Sequence, residues 1–274
     1  MHNLDIAVLF FLLVGAAASA HWRKLTPPAA AAGALCGIVI YTGDGFRGLA
    51  LLALFFALGT AATAWKKEEK GGVQRAGPSP STGIDTPIPR AAAHQSTRRT
   101  GQVLANAGVA AIAGLLTLFF PANRQLFSLM LAASLSSATA DTLSSELGMV
   151  YGHRFFNILT LKPDERGLDG VISLEGLFLG IIGSALVAAV FLIVPAPPAA
   201  VFAIVPLPPD QHAPIVSNSQ AFLILIISGT VGNLADSLLG ALLERRGLLT
   251  NDDVNFLNTL IAAITAATLA GFHG

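Results

Sequence analysis

Four carboxylates stand inside apolar runs of this chain: Asp141 and Glu146 in "SSATADTLSSELG" (136–148), Glu175 in "SLEG" and Asp236 in "NLADSLLG". A charged carboxylate near the centre of a spanning helix costs about 2.5–3.5 kcal/mol on insertion scales, so four of them require compensation. Amides and hydroxyls accompany them, namely Asn106, Ser173, Asn233, Ser237, Asn255 and Asn258. The adjoining loops add Lys162, Arg166 and Asp169, then Arg245, Arg246, Asn251, Asp252 and Asp253. Acids, amides and neighbouring cations suit a hard divalent ion such as Mg²⁺, which takes oxygen ligands and keeps part of its shell for substrate phosphate. Phosphoryl transfer asks little more than positioning and charge neutralisation. The same residues have a structural use, as ion pairs with nearby Lys and Arg or as side chains reaching for the interface.

The elements that must position these groups follow from hydropathy. With 53% hydrophobic and 12% charged residues and a mean hydropathy of +0.67, the chain reads as an all-α polytopic integral membrane protein. Eight apolar runs are long enough to span, at 4–20, 27–42, 46–64, 101–120, 125–150, 170–194, 220–243 and 254–271. The first ends in Ala18-Ser19-Ala20, but no Lys or Arg precedes it, so it is expected to be a retained helix and not a cleaved signal. Fourteen of the 16 Lys and Arg fall in loops one, three, five and seven, while Arg47 and Arg124 alone fall in loops two and four. By the positive-inside rule both termini face the non-cytoplasmic side. The expected organisation is a three-helix membrane segment over 1–64, a flexible cytoplasmic loop over 65–100 rich in Pro, Ser and Gly, and a five-helix catalytic core over 101–274.

Depth brings the acids together. Asp141 lies sixteen residues past Gln125, and Asp236 sixteen past Gln220, on two helices that enter from the same side. Both therefore sit roughly 24 Å along a hydrocarbon core about 30 Å thick, towards its cytoplasmic face. Net charge is zero and no basic field points to nucleic acid; one cysteine, Cys36, permits neither a disulfide nor a thiolate cluster. No phosphate-binding loop with Lys, no H-E-x-x-H and no G-x-S-x-G occurs. "GDGFRG" (43–48) fits a glycine-rich pattern but lacks the βαβ context that would give it meaning.

Three segments together resemble a membrane family long catalogued as a domain of unknown function, which includes plant phytyl-phosphate kinase and vertebrate transmembrane protein nineteen. They are "QVLANAGVAA" (102–111), "ADTLSSELG" (140–148) followed by "KPDERGLDGVISLEG" (162–176), and "GNLADSLLGALLERR" (232–246) followed by "LTNDDVNFLNTLIAA" (249–263). The order of motifs is also similar to CTP-dependent polyprenol kinases and, more remotely, to phosphatidate cytidylyltransferases. The resemblance implies a kinase in a bacterial-type inner membrane, its active site facing the cytoplasm. It would convert an isoprenoid monophosphate of phytyl or geranylgeranyl type to the diphosphate with CTP or another nucleoside triphosphate and Mg²⁺. Asp141 and Asp236 would hold metal and nucleotide phosphates, with Glu146 in or behind that shell. Lys162 and Arg166 would neutralise the phosphates, and Ser173, Glu175 and Gly176 would line the turn entering helix six. Asn233, Asn251, Asp252 and Asn255 would orient nucleotide or metal, with Asn106 and Ser237 completing the candidate set. Two departures mark this chain: "RGLDGVIS" (166–173) replaces the usual Gly-Thr-x-Gly-Gly approach to Ser173, and Leu177 stands where a Thr often follows. Asp169 stands there as a further ligand or as a helix cap. The alternatives to a prenyl-phosphate kinase are polyprenol phosphorylation or cytidylyl transfer in the same pocket, and an ion-coupled transporter. The clustering of polar groups near one face weighs against the transporter. A homodimer is left open.

Overall fold

Thr26 and the two prolines that follow it make the first corner of the chain. Helix α1 (Asn3–His21) ends before Arg23, whose φ of 55° breaks helical geometry. The Thr26 side chain then accepts from Ala29 N at 3.4 Å, with Pro27 at the first helical position, where its missing N–H costs nothing. A computed structural model describes residues 3–66, 70, 97–197 and 215–271. The expectation of a flexible loop over 65–100 lies for the most part outside those residues.

Helix α2 (Pro27–Ala64) has 38 residues and is interrupted at Gly45, where φ 61° and ψ −144° suit only a residue without Cβ. Beyond that point the chain doubles back. A Cβ on Gly37 would lie 3.7 Å from Leu52 Cδ2, and one on Gly48 would lie 2.7 Å from Ile40 Cγ2. The expected segments 27–42 and 46–64 are thus the antiparallel halves of a helical hairpin, and "GDGFRG" is its corner. Asp44, fully buried there, accepts from Arg47 Nε at 3.1 Å, Arg47 Nη2 at 2.9 Å and Ser128 Oγ at 2.7 Å. Arg47 lies over the Phe191 ring, 4.3 Å from its centroid. At the other end of the hairpin Trp65 Nε1 donates to Tyr151 Oη at 2.8 Å.

The remaining helices follow the expected runs. They are α3 (Thr100–Phe119), α4 (Arg124–Tyr151) after a 3₁₀ turn (Pro121–Asn123), α5 (Leu174–Ile193), α6 (Asn218–Leu239) and α7 (Asn251–Gly271). A π-helical turn (Gly240–Glu244) extends α6. By length and composition α2 to α7 are six helices able to cross a membrane, and α1 carries a shorter apolar stretch, Ile6–His21. One start differs from expectation. Helix α5 begins at Leu174 and not at residue 170, because Val171–Ile172 (β2) pairs antiparallel with Phe156–Asn157 (β1). Ser173 then caps the helix, its Oγ accepting from Gly176 N at 3.1 Å.

Helix α4 is the axis of the bundle and packs against α2, α3, α5, α6 and α7. Its stretch "LAASLSSATA" (131–140) is buried throughout, and small side chains there let five neighbours approach closely. Polarity is arranged as a bilayer demands: Ser134, Ser136, Ser137, Ser184, Ser228, Asn258 and Thr259 are buried, while Phe178, Leu174, Ile193 and Ile264 face outwards. With lipid outside, apolar surface there costs nothing, and Ser134, Ser136, Ser137 and Thr259 find acceptors within the bundle, as Ser136 Oγ does at Leu225 O, 3.0 Å away.

Candidate active site

Asp141 on α4 and Asp236 on α6 lie side by side, their carboxyl groups within hydrogen-bonding reach. Glycines permit this meeting. A Cβ on Gly232, one turn before Asp236, would run into Ser137 Oγ and stand 2.9 Å from Asn258 O. A Cβ on Gly229 would strike both Ser136 Oγ and Ser184 Oγ. Helix α7 closes the site with Asn258, fully buried, whose Nδ2 donates to Asp236 Oδ1 at 2.7 Å and whose Oδ1 accepts from Ser137 Oγ at 3.0 Å. One amide therefore ties α4, α6 and α7 together. Asn233 sits a turn before Asp236 against α5, where a Cβ on Gly180 would lie 2.7 Å from its Nδ2.

Among the described residues, the charged groups shown to bear on this pair are acids. Asp236, Glu146 and Glu244 act on Asp141, and Asp169 acts on Asp236. Two carboxylates about 4 Å apart repel by about 4 kcal/mol at an effective dielectric of 20, unless a proton or a cation stands between them. The structural alternative, an ion pair for each acid with its own Lys or Arg, is therefore not what holds Asp141 and Asp236.

It is what holds Glu146. Five residues past Asp141, this side chain points about 140° away around the helix. There Lys70 Nζ meets Glu146 Oε2 at 2.7 Å and Thr63 Oγ1 donates to Oε1 at 3.0 Å. Lys70 also donates to Ala62 O at 2.6 Å, and both charged residues are buried. The expected third metal carboxylate is thus committed to a cation of the 66–70 charge run. Among the described residues no three His, Cys, Asp or Glu side chains gather as a metal cluster.

The connection from α4 to α5 is folded onto the π-helical turn. Gly170, with φ 73°, sits where any Cβ would collide with Ala241. Arg245 Nε donates to Asp169 O, and its Nη2 to Asp164 Oδ2 at 3.0 Å, where Asn157 Nδ2 also donates at 3.0 Å. The Asn157 amide, then the Glu165 backbone and Arg245, hold Asp164 below the usual carboxylate range, whereas burial pushes Asp169 up against the opposing charge of Arg245. A lowered folded value means that Asp164 contributes stability above the ordinary carboxylate range and loses it as pH falls through the folded value. Replacing Arg245 by Gln is expected to speed hydrogen exchange over 156–172 at neutral pH. The difference from wild type should vanish once Asp164 is protonated, which exchange measured across pH would check.

Other expected residues are dispersed. Lys162 is exposed on this connection, its carbonyl accepting from Asn157 N at 3.0 Å, and Arg166 is half-buried. Ser173 and Gly176 serve the start of α5, where a Cβ on Gly148 would lie 3.0 Å from Gly176 Cα. Glu175 faces away towards His153 Nδ1 at 2.9 Å. Asn106 donates to Gln102 O of its own helix at 2.8 Å, and Ser237 to Asn233 O at 3.4 Å. Asn251 opens α7 on the surface, and Asp252 lies against Gly101 of α3, with Arg99 acting on its charge. Asn255 is one step removed, accepting from Asn258 Nδ2 at 3.5 Å. Asn258 and Arg245 were named from sequence only among the accompanying polar groups, with no role assigned, and Ser137 and Glu244 were not named. For Asn258 the signal was its place three residues after Asn255 on one helical face; for Ser137, its place one turn before Asp141.

Known proteins show the same sequence pattern. The chain is 29% identical over 270 residues to the uncharacterized membrane protein sll0875 of Synechocystis, covering 96% of this chain and 89% of that one. It is 27% identical over 230 residues to the uncharacterized membrane protein MJ0933 of Methanocaldococcus jannaschii, covering 84% and 79%. Protein VTE6, chloroplastic, of Arabidopsis thaliana is 27% identical over 250 residues, covering 88% of this chain and 64% of the plant protein. No solved structure matches. The model of the integral membrane protein family DUF92 matches residues 9–263, nearly the whole chain, and the chain belongs to that family.

Proposed function

We propose that the protein is an integral membrane kinase that phosphorylates an isoprenoid monophosphate of phytyl or geranylgeranyl type, using CTP or another nucleoside triphosphate. The observation that carries this reading is the contact between Asp141 and Asp236, two half-buried acids flanked by amides and influenced by further acids. Such a pair suits Mg²⁺, which is commonly bound by one or two carboxylates plus substrate phosphates and water, so a third protein carboxylate is not required. The similarity to VTE6 and the phytyl-phosphate kinase motifs at 140–148 and 232–246 support the substrate class.

In the reaction an oxygen of the prenyl monophosphate attacks the terminal phosphorus of the triphosphate, the bond to the bridging oxygen breaks, and a nucleoside diphosphate leaves. Bound Mg²⁺ would supply charge neutralisation across the triphosphate. Asp141 and Asp236 would hold it, and Asn258 fixes the direction in which Asp236 presents its free oxygen. Arg245 keeps the connection bearing Lys162 and Arg166 folded over the same end of the bundle, where those cations would meet phosphate.

The test is transfer of labelled terminal phosphate from a panel of nucleoside triphosphates to phytyl and geranylgeranyl monophosphates by purified protein. The expected products are prenyl diphosphate and nucleoside diphosphate in equal amounts, dependent on Mg²⁺. Release of pyrophosphate would mean cytidylyl transfer instead, and no product with any pair would overturn the reading.

A further inference from the structure

A cavity of about 560 Å³ lies apart from the acid pair, between α1, the two halves of α2 and the start of α3. Its walls are almost wholly apolar, and it falls in the size range of small-molecule pockets. One end reaches Phe46 at the hairpin corner and the other reaches Arg98 and Gln102. From Phe46 to Phe56 the wall runs about 15 Å along the helix. A long hydrocarbon cleft with one cationic end is complementary to a lipid with a single tail and an anionic head.

Arg98 is held as such an end. Its backbone is fixed on both sides, N donating to Lys24 O at 2.9 Å and O accepting from Thr26 N at 3.1 Å, while the guanidinium rests 5.5 Å from the Phe55 ring centroid. The acid whose charge acts on it is Glu146, already held by Lys70. Burial weighs against its own charge, so an arriving anion would be favoured. Across Gly59 the guanidinium also lies near the turn of α4 that carries Asp141. A Cβ on Gly59 would lie 2.6 Å from Arg98 Nη2 and 3.5 Å from Thr142 Cγ2, the residue next to Asp141.

We propose that this cleft holds the hydrocarbon tail of an isoprenoid monophosphate, with Arg98 at its phosphate end presenting that phosphate to the turn of α4 that carries Asp141. The assignment rests on the kinase reading for its choice of lipid, and it brings the acceptor to α4 beside Thr142, the residue next to Asp141.

Photolabelling of the full detergent-solubilised chain with a diazirine-bearing geranylgeranyl monophosphate tests it. Crosslinks are expected on Phe11, Phe56 or Val103, displaced by unlabelled geranylgeranyl monophosphate and not by phosphatidylglycerol. Gly33 offers room for a plug, since a Cβ there meets only Val103 at 3.8 Å and Leu25 at 4.0 Å. Gly33→Trp should reduce labelling to background. Arg98→Gln should weaken competition by the monophosphate about tenfold, the weight of a charged hydrogen bond, without changing competition by uncharged geranylgeraniol. Arg98→Lys should restore much of it. Crosslinks confined to α5 or α6, or equal displacement by phosphatidylglycerol, would overturn the proposal. A transfer assay on the same preparation separates the two readings. Cleft labelling without transfer to any acceptor removes the kinase and keeps the cleft as a prenyl-phosphate site; transfer with crosslinks elsewhere does the reverse.

Discussion

Asp141→Asn and Asp236→Asn should each slow phosphate transfer by about 10²–10³-fold or more, the scale seen when one preorganised electrostatic contact to a reacting group is removed. Neither change should unfold the protein. Each takes away one member of a like-charged, half-buried pair between α4 and α6, so thermal unfolding in detergent should hold or shift upwards. Asn at 236 can still accept from Asn258 through its amide oxygen, which preserves the packing of α7. The double variant should be little slower than either single one, because the two acids act as a unit. Wild-type turnover in either single variant would remove the pair from the chemistry. Loss of activity accompanied by a large fall in melting temperature would assign the pair a structural role.

Lys70→Met carries the opposite signature. Removing the ammonium takes from buried Glu146 its closest cation, and breaking a buried ion pair by deleting one partner typically costs about 3–5 kcal/mol. Equilibrium unfolding of detergent-solubilised protein should register that loss directly. The double change Lys70→Met with Glu146→Gln should recover most of it, since a neutral pair leaves no uncompensated charge. If Lys70→Met alone is as stable as wild type, the ion pair is not what fixes the end of α2 to α4.

These two outcomes separate acids that look alike in the sequence. Asp141 and Glu146 lie five residues apart in one segment, and hydropathy does not tell them apart. What divides them is azimuth around α4, which decides whether a side chain meets the α2 hairpin or the α6 face, and azimuth depends on how neighbours pack. Matched depth on separate helices was the legible part, and it brought Asp141 to Asp236. The spans were legible as well, including the hairpin that a length criterion merges into one helix, because Gly43, Asp44 and Gly45 interrupt the apolar run. Local signals could not reveal that Ser173 would cap a helix, that Glu175 would turn to His153, or that residues 156–157 and 171–172 would pair. Those outcomes depend on a connection whose fold is imposed by Arg245, some eighty residues further along. The role of Asn258 was hidden in the same way, since three asparagines open α7 and only contact with α4 and α6 tells them apart.

The single amide bridge from Asn258 also constrains how the molecule comes into being. Asp141 leaves the ribosome long before Asp236, and Asn258 arrives last, so the first acid enters the bilayer without the groups that later surround it. A burden of that kind is tolerable only on a segment otherwise apolar enough to insert, and "LFSLMLAASL" (126–135), just ahead of Asp141, supplies that surplus. Competence then waits for the final helix. A nascent chain released before α7 would contain both acids and no assembled centre.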